Sequence, residues 1–161
     1  MNKLNFLGIG PKIAIVLLPW VGLSIAAGYY FDHSFSYTQH NSKLLLYAGI
    51  ILIAVGLLFY FSTVRLLLKG LKETKLMTTG AYSLCQNPLY SSILLIIIPA
   101  LSLILNSWII LTSSIVGYIF FKIFISNEYK ELEKFFGEQY REYKKNTPEF
   151  FPFPLKKWFK K

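Results

Sequence analysis

The sequence has one cysteine, Cys85, so an internal disulfide is excluded. It has no paired histidine or cysteine ligand set of the kind that binds a structural metal. Its ten glycines are scattered, and none forms a glycine-rich phosphate loop. Charge is also scarce, at 16% of residues against about a quarter in a typical soluble domain. These absences argue against a soluble metalloprotein, a phosphate-loop nucleotide-binding domain and a disulfide-stabilised secreted domain.

Long uncharged, hydrophobic runs make up much of the chain. The chain has 161 residues, 54% of them hydrophobic, and a mean hydropathy of +0.46. A membrane-spanning helix needs about 20 mostly apolar residues. The pattern predicts a single all-α integral membrane domain over residues 1–161, with four transmembrane helices at about 13–31, 44–68, 89–105 and 108–125. Because only Asn106 and Ser107 separate the last two, we expect these two to form a tight antiparallel hairpin.

The first run has a second interpretation. A lysine-bearing start, an apolar run and then Ala26, Ala27 and Gly28 are also typical of a cleaved signal peptide. The run is long for that purpose, which favours a span, and cleavage would leave the topology of the other three unchanged.

The net charge of +9 is distributed unevenly along the chain. Of the 17 lysines and arginines, only Lys43 lies in the loops between spans one and two or between spans three and four. Lysine and arginine concentrate in cytoplasmic loops, next to anionic lipid. The sequence therefore predicts cytoplasmic N- and C-termini and no nucleic-acid partner. The small size and the lack of an address signal favour a bacterial cytoplasmic membrane.

A segment of different composition follows the fourth span. Apolar side chains recur there at steps of three and four: Tyr129, Leu132, Phe136, Tyr140 and Tyr143. This spacing predicts a cytoplasmic amphipathic helix, which Gly137 weakens or divides in two and Pro148 ends. The last residues, 153–161, mix aromatic and basic side chains and are typical of an interfacial anchor.

Two polar stretches flank the predicted hairpin. The loop Met77–Ser92 precedes it, and there Asn87-Pro88 indicates a helix start, capped by the asparagine. Glu128 is the first acidic residue after the hairpin. Taken separately, these are an ordinary helix boundary and a solvated carboxylate. The two ends of a hairpin are neighbours, however, so we expect Asn87, Tyr90 and Glu128 to meet in a pocket under the amphipathic helix, suited to a polar cofactor and a lipid-borne substrate.

At these positions the chain resembles the membrane methyltransferases grouped with isoprenylcysteine carboxyl methyltransferase and phospholipid N-methyltransferase. The family pattern T-G-P-Y-R-x-x-R-H-P-x-Y reads TGAYSLCQNPLY at residues 79–90. After the hairpin, the family pattern E-E-x-x-L and F-G-x-x-Y-x-x-Y is matched by Glu128, Leu132, Phe136, Gly137, Tyr140 and Tyr143. The resemblance covers residues 76–152, which we interpret as a methyltransferase-like core.

The resemblance implies S-adenosylmethionine as cofactor and a membrane lipid or lipid-like substrate. The cofactor-binding residues that it implies are Gly80, Tyr82, Asn87, Pro88, Tyr90, Glu128 and Tyr140. It also implies that Glu128 pairs with the cofactor's ammonium or ribose hydroxyls and that tyrosine rings face the sulfonium. No catalytic residue and no oligomeric state follow from it.

Four departures from the family pattern change a charged or polar residue of the pattern. The two family arginines are Ser83 and Gln86 here, the histidine is Asn87, and the second glutamate is Tyr129. Losing both arginines removes cationic donors for a carboxylate or phosphate. Two alternatives to the methyltransferase are therefore a non-catalytic membrane adaptor that kept the fold and an NADPH-dependent membrane reductase.

Overall fold

The computed structural model describes residues 8–39 and 42–150, apart from the side chains of residues 32 and 33. Within these ranges the regular structure is helical, and one isolated β-bridge joins Ser36 to Ser107. The chain is an all-α integral membrane protein. Its α-helices are α1 (Gly10–Tyr30), α2 (Asp32–Phe35), α3 (Lys43–Glu73), α4 (Ala81–Leu84), α5 (Pro88–Ser92), α6 (Ile98–Ile104), α7 (Thr112–Phe136) and α8 (Glu138–Asn146).

Among the described residues, three helices are long and apolar enough to cross a membrane: Gly10–Tyr30, Lys43–Glu73 and Trp108–Phe136. They correspond to predicted spans one, two and four. Predicted span three is the shorter apolar segment Pro88–Ile104, which is near the lower limit of about 17 residues for a crossing. Large apolar side chains on the outer faces of the long helices are exposed, as lipid contact requires, for example Ile15, Leu58 and Ile123.

The third span is not a uniform α-helix, because Pro99 lies inside it. A π-helical turn, Ile93–Ile97, joins α5 to α6, and the N–H of Ile98 bonds the carbonyl of Ile93. The next bond of that pattern would run from residue 99 to the carbonyl of Leu94, but proline has no N–H. Ser114 of α7 instead donates to the Leu94 carbonyl at 2.6 Å. The neighbouring helix thus satisfies the group that the proline leaves unpaired.

Small residues bring α3 close to the third span. The buried residues of α3 recur every seventh position: Gly49, Gly56, Thr63 and Gly70. A Cβ on Gly49 would lie 2.6 Å from Ile104 Cγ1 and 2.9 Å from the Ala100 carbonyl oxygen. Such close backbone approach is the usual way in which membrane helices pack.

The four spans form two packed pairs joined through the hairpin. Helix α3 packs against α5 and α6, whereas α1 packs against α7. Within the described residues, α1 and α3 share no extended interface. Asn106, with φ +49°, makes the tight turn predicted between the last two spans.

The amphipathic segment is divided at Gly137, whose φ is +56°. Helix α7 runs on past the predicted end at residue 125 as far as Phe136, because nothing before the glycine breaks it. The predicted stripe therefore belongs partly to α7 and partly to α8. The predicted tail, 153–161, lies outside the described residues.

Candidate functional site

A cavity of about 600 Å³ lies at one end of the helix bundle. Its walls come from the start of α1, the last turns of α3, the loop before α5, the end of α7 and helix α8. The two ends of the hairpin therefore meet beside a hollow, as the sequence indicated, and α8 covers it.

Six of the seven candidate residues line this cavity: Tyr82, Asn87, Pro88, Tyr90, Glu128 and Tyr140. Gly80 lies outside the lining. It precedes α4 with φ +62°, and a Cβ there would lie 2.8 Å from Leu66 Cδ1. The positive φ of Gly80 sets the turn that leads into α4, and Tyr82 of α4 lines the cavity.

Glu128 is held by the beginning of the chain's first helix. The N–H of Ile9 donates to Glu128 Oε2 at 3.1 Å. Gly8, with φ +48°, lies so close that a Cβ there would be 2.7 Å from the same oxygen. The first helix thus fixes one side of the carboxylate, a role that the sequence analysis missed. The available signal was the Gly-Ile-Gly-Pro run at residues 8–11, where two glycines precede a proline in the first helical turn.

The side-chain amide of Asn87 donates both of its protons to other residues of the chain. Nδ2 donates to Tyr129 Oη at 2.6 Å and to the carbonyl oxygen of Glu149 at 3.1 Å. Although Asn87 precedes α5 at the N-cap position, its side chain does not cap the helix as the sequence suggested. The side chain is buried, at 7% exposure, and can offer a ligand only its carbonyl oxygen.

Tyr129, which belongs to α7, extends this hydrogen-bond network to Glu149. Its hydroxyl donates to Glu149 Oε1 at 3.1 Å, and Lys122 Nζ lies 2.9 Å from Glu149 Oε2. Phe150 then packs its ring 4.7 Å from that of Phe121. These contacts hold the segment that follows α8 against α7.

Gln86 holds the same segment from the other side. Its backbone N–H donates to the Pro148 carbonyl at 2.8 Å, and Nε2 donates to the carbonyls of Lys144 and Thr147 at 3.2 and 2.6 Å. We call residues 147–150 the C-terminal strap. Ser83, the other position where the family pattern has arginine, is exposed and bonds the Gly80 carbonyl.

Two buried polar atoms of the cavity lining, Tyr140 Oη and Gln86 Oε1, have no hydrogen-bond partner among the described residues. Tyr140 is 2% exposed. Buried polar groups are almost always paired, so these two atoms are exceptions in the wall of the cavity.

Burial keeps the phenol groups of Tyr82 in α4 and of Tyr140 and Tyr143 in α8 protonated. It is the largest cause that raises the pKa of Tyr82 and of Tyr140, and the nearby negative charge of Glu128 is the next. Burial also raises the pKa of Tyr143, whose hydroxyl donates to the carbonyl of Tyr82 at 2.7 Å. These tyrosines therefore present neutral hydroxyls and aromatic faces.

One wall of the cavity belongs to the membrane-spanning part of α3. Tyr60, Val64 and Leu67 line it there, opposite Gly10 and Pro11 of α1. Within the described residues α1 and α3 share no extended interface, and both helices line the cavity. The site thus combines a polar, aromatic end under α8 with an apolar side that adjoins the bilayer.

The comparison with protein families gives one match. The family model described as phospholipid methyltransferase matches residues 44–139, from the first turn of α3 into α8. No curated protein and no solved structure matches the chain. The matched region contains all seven candidate residues except Tyr140, and it excludes α1.

Proposed function

We propose that this chain, which belongs to the phospholipid methyltransferase family, transfers a methyl group from S-adenosylmethionine to a lipid, a lipidated molecule or another membrane-soluble acceptor. The observation that carries the proposal is the cavity of about 600 Å³, which Glu128, Gln86 and Tyr140 line. Small-molecule sites usually measure about 300–1,000 Å³ and combine apolar walls with a few placed polar groups.

The lining fits the cofactor that this family generally uses. Its ammonium and sulfonium suit a carboxylate and aromatic faces, and its ribose and base need hydrogen-bonding partners. Glu128 supplies the carboxylate, Tyr82, Tyr90 and Tyr140 supply rings, and Tyr140 Oη and Gln86 Oε1 offer unpaired atoms.

S-adenosylmethionine supplies a methyl group activated by the positive sulfur. The chain's own part is to bind and orient. We assign Glu128 to the cofactor's ammonium or ribose hydroxyls and the tyrosine rings to its positive charge. Asn87 and Pro88 place the start of α5 against the C-terminal strap, and Gly80 sets the loop before it. Positioning of this kind can lower a transfer barrier by several kcal/mol without a strong general base.

The acceptor reaches the site from the bilayer in this proposal. We infer that a lipid approaches between α1 and α3, past Tyr60 and Val64, which line the cavity from α3. The bias of lysine and arginine favours a cytoplasmic location for the cavity end of the bundle, where the soluble cofactor is available. We retain residues 76–152 as the core that binds cofactor and 153–161 as an interfacial anchor.

The two alternatives have less support. A non-catalytic adaptor has no need of the cavity, and the cavity is lined by the family's motif positions. A reductase would have to bind several phosphates. Among the described residues the lining has two lysines, Lys12 and Lys75, and no arginine. Binding of NADPH without binding of S-adenosylhomocysteine would favour the reductase.

The proposal is tested by ligand-induced stabilisation of the purified protein in detergent. S-adenosylhomocysteine at one hundred times its Kd should stabilise the wild type by about 2.7 kcal/mol. Glu128→Gln keeps an oxygen for the Ile9 N–H but removes the charge, and should bind at least about tenfold more weakly. Glu142→Gln, an equal charge change at an exposed position outside the lining, should bind like the wild type. A wild type without any thermal response to S-adenosylhomocysteine contradicts the proposal.

A further inference from the structure

One face of α3 is exposed along much of the helix and changes from apolar to basic. Its side chains recur at steps of three and four, which keeps them on one side of a helix. We call this set the outer face of α3; its members are Ile51, Val55, Leu58, Phe61, Arg65, Lys69 and Lys72. Thr63, on the side that packs against the rest of the bundle, lies two positions before Arg65, and two positions turn a helix by about 200°. The outer face is therefore directed away from the packed side.

The change from apolar to basic falls where the helix is expected to leave the hydrocarbon core. Residues 44–64 carry no charge and, at about 1.5 Å per residue, extend about 30 Å, which is the thickness of that core. The three basic residues follow over about 10 Å of helix, in the layer where lipid headgroups lie. Leu58 and Phe61, which are 73% and 57% exposed, precede them on the same face within the apolar layer. The outer face thus matches both parts of a phospholipid, its acyl chains and its headgroup.

The protein does not neutralise the three positive charges of the outer face. The salt bridges formed within the described residues involve other basic residues, Lys122 and Arg141. None of them reaches the outer face, although Glu73, the only acidic residue of α3, lies four positions after Lys69. Three unpaired positive charges within about two turns, directly beyond an apolar span, attract anionic lipid headgroups.

We propose that the outer face of α3 binds an anionic phospholipid of the surrounding bilayer, with the headgroup at Arg65, Lys69 and Lys72 and the acyl chains along Leu58 and Phe61. A free phosphate ion has no acyl chains and gains nothing from the apolar half of the face. A zwitterionic lipid carries no net negative charge and gains less from three positive charges. None of these five residues lines the cavity, so the site is separate from the proposed methyl transfer and does not depend on it.

Native mass spectrometry of the full-length protein in a neutral detergent tests this by counting bound lipids, with phosphatidylglycerol and phosphatidylcholine as probes. The wild type should bind phosphatidylglycerol at least about tenfold more tightly than phosphatidylcholine. A triple variant with Arg65→Gln, Lys69→Gln and Lys72→Gln should lose this preference, and Lys69→Gln alone should lose part of it. Phosphatidylglycerol should also raise the melting temperature of the wild type more than that of the triple variant, because a ligand that binds the folded state stabilises it.

The matched control exchanges three other exposed lysines for glutamine, Lys130, Lys134 and Lys145 of α7 and α8. It makes the same change in net charge and should keep the preference for phosphatidylglycerol. An equal loss of preference in the control overturns the inference, because the attraction would then follow from net charge alone. Equal binding of both lipids to the wild type overturns it too, and so does an equal rise in melting temperature with inorganic phosphate. A dimer in place of the lipid adduct would assign the outer face to a second copy of the chain and would also overturn it.

Discussion

The hydrogen bond from Asn87 Nδ2 to Tyr129 Oη, at 2.6 Å, joins the two positions where the family pattern has histidine and its second glutamate. The same nitrogen reaches the Glu149 carbonyl. Two departures from the pattern therefore contact each other, and together they hold the C-terminal strap over the site. In the structure the two exchanged side chains form one hydrogen-bonded pair.

Asn87→Ala should loosen the strap. The change removes both hydrogen bonds of Asn87 Nδ2, to Tyr129 and to the Glu149 carbonyl, and this should cost about 1–3 kcal/mol. The Glu149 carbonyl keeps the hydrogen bond from the Asn87 backbone N–H at 3.2 Å. Hydrogen exchange of residues 147–150 should rise and the melting temperature should fall. Asn146→Ala, at an exposed position at the end of α8, is the control and should change neither. Equal exchange of the strap in both variants would contradict the role given to Asn87.

Gly8→Ala should disturb Glu128 directly. The new Cβ would lie 2.7 Å from Glu128 Oε2, so the carboxylate must move, and binding of S-adenosylhomocysteine should weaken about tenfold or more. Gly137→Ala carries the same positive-φ strain, but its Cβ would meet nothing within 4 Å. Both variants should lose stability, and only Gly8→Ala should lose affinity. Similar affinity in the two variants would show that α1 does not fix the carboxylate.

The packing of α3 predicts a large effect from one methyl group. In Gly49→Ala the added Cβ would meet the Ala100 carbonyl oxygen at 2.9 Å and the Ile104 nitrogen at 3.0 Å, and the backbone cannot yield as a side chain would. We expect a loss of about 1–3 kcal/mol. Gly22→Ala has open space and gains helix propensity, so it should be neutral or stabilising. Thermal unfolding in detergent separates the two, and equal melting temperatures would refute the close approach.

The buried phenols predict a loss of stability at alkaline pH. Burial first, and the charge of Glu128 second, raise the pKa of Tyr82 and of Tyr140 above the ordinary value of about 10. Between the unfolded and folded pKa values the unfolded chain releases these protons and the folded protein keeps them, so stability falls as pH rises above about 10. Below that pH the contribution is constant.

Tyr140→Phe checks this directly, because it removes one of the shifted groups. Its unfolding free energy should decline less steeply with pH above about 10 than that of the wild type. Parallel pH profiles for the two proteins would contradict the burial of this hydroxyl.

The helices and the meeting of Tyr90 with Glu128 were predictable from the sequence. A long apolar run must be helical in a bilayer, and a two-residue connection leaves only an antiparallel hairpin. The turn at Gly137 was also indicated, since glycine takes the positive φ found there.

The other contacts of the site depend on tertiary packing that no local sequence pattern indicates. Ile9 and Glu128 are 119 positions apart, and no periodicity relates the start of α1 to the end of α7. The C-terminal strap is extended and irregular, so its bonds to Gln86 and Asn87 follow from the tertiary fold alone. Helix α7 runs past the predicted end of span four at residue 125, because the charge-rich stretch 128–134 does not end the helix.

The central claim is that this cavity delivers a methyl group to a membrane-soluble acceptor. The most direct measurement is incorporation of labelled methyl from S-adenosylmethionine into the lipid extract of membranes, with wild type, Glu128→Gln and Glu142→Gln compared at equal expression. The account predicts labelling by the wild type and by Glu142→Gln, and a loss of at least about tenfold in Glu128→Gln. Labelling by Glu128→Gln equal to that of the wild type would contradict it. Labelling by all three proteins no higher than that of membranes without the expressed protein would contradict it as well.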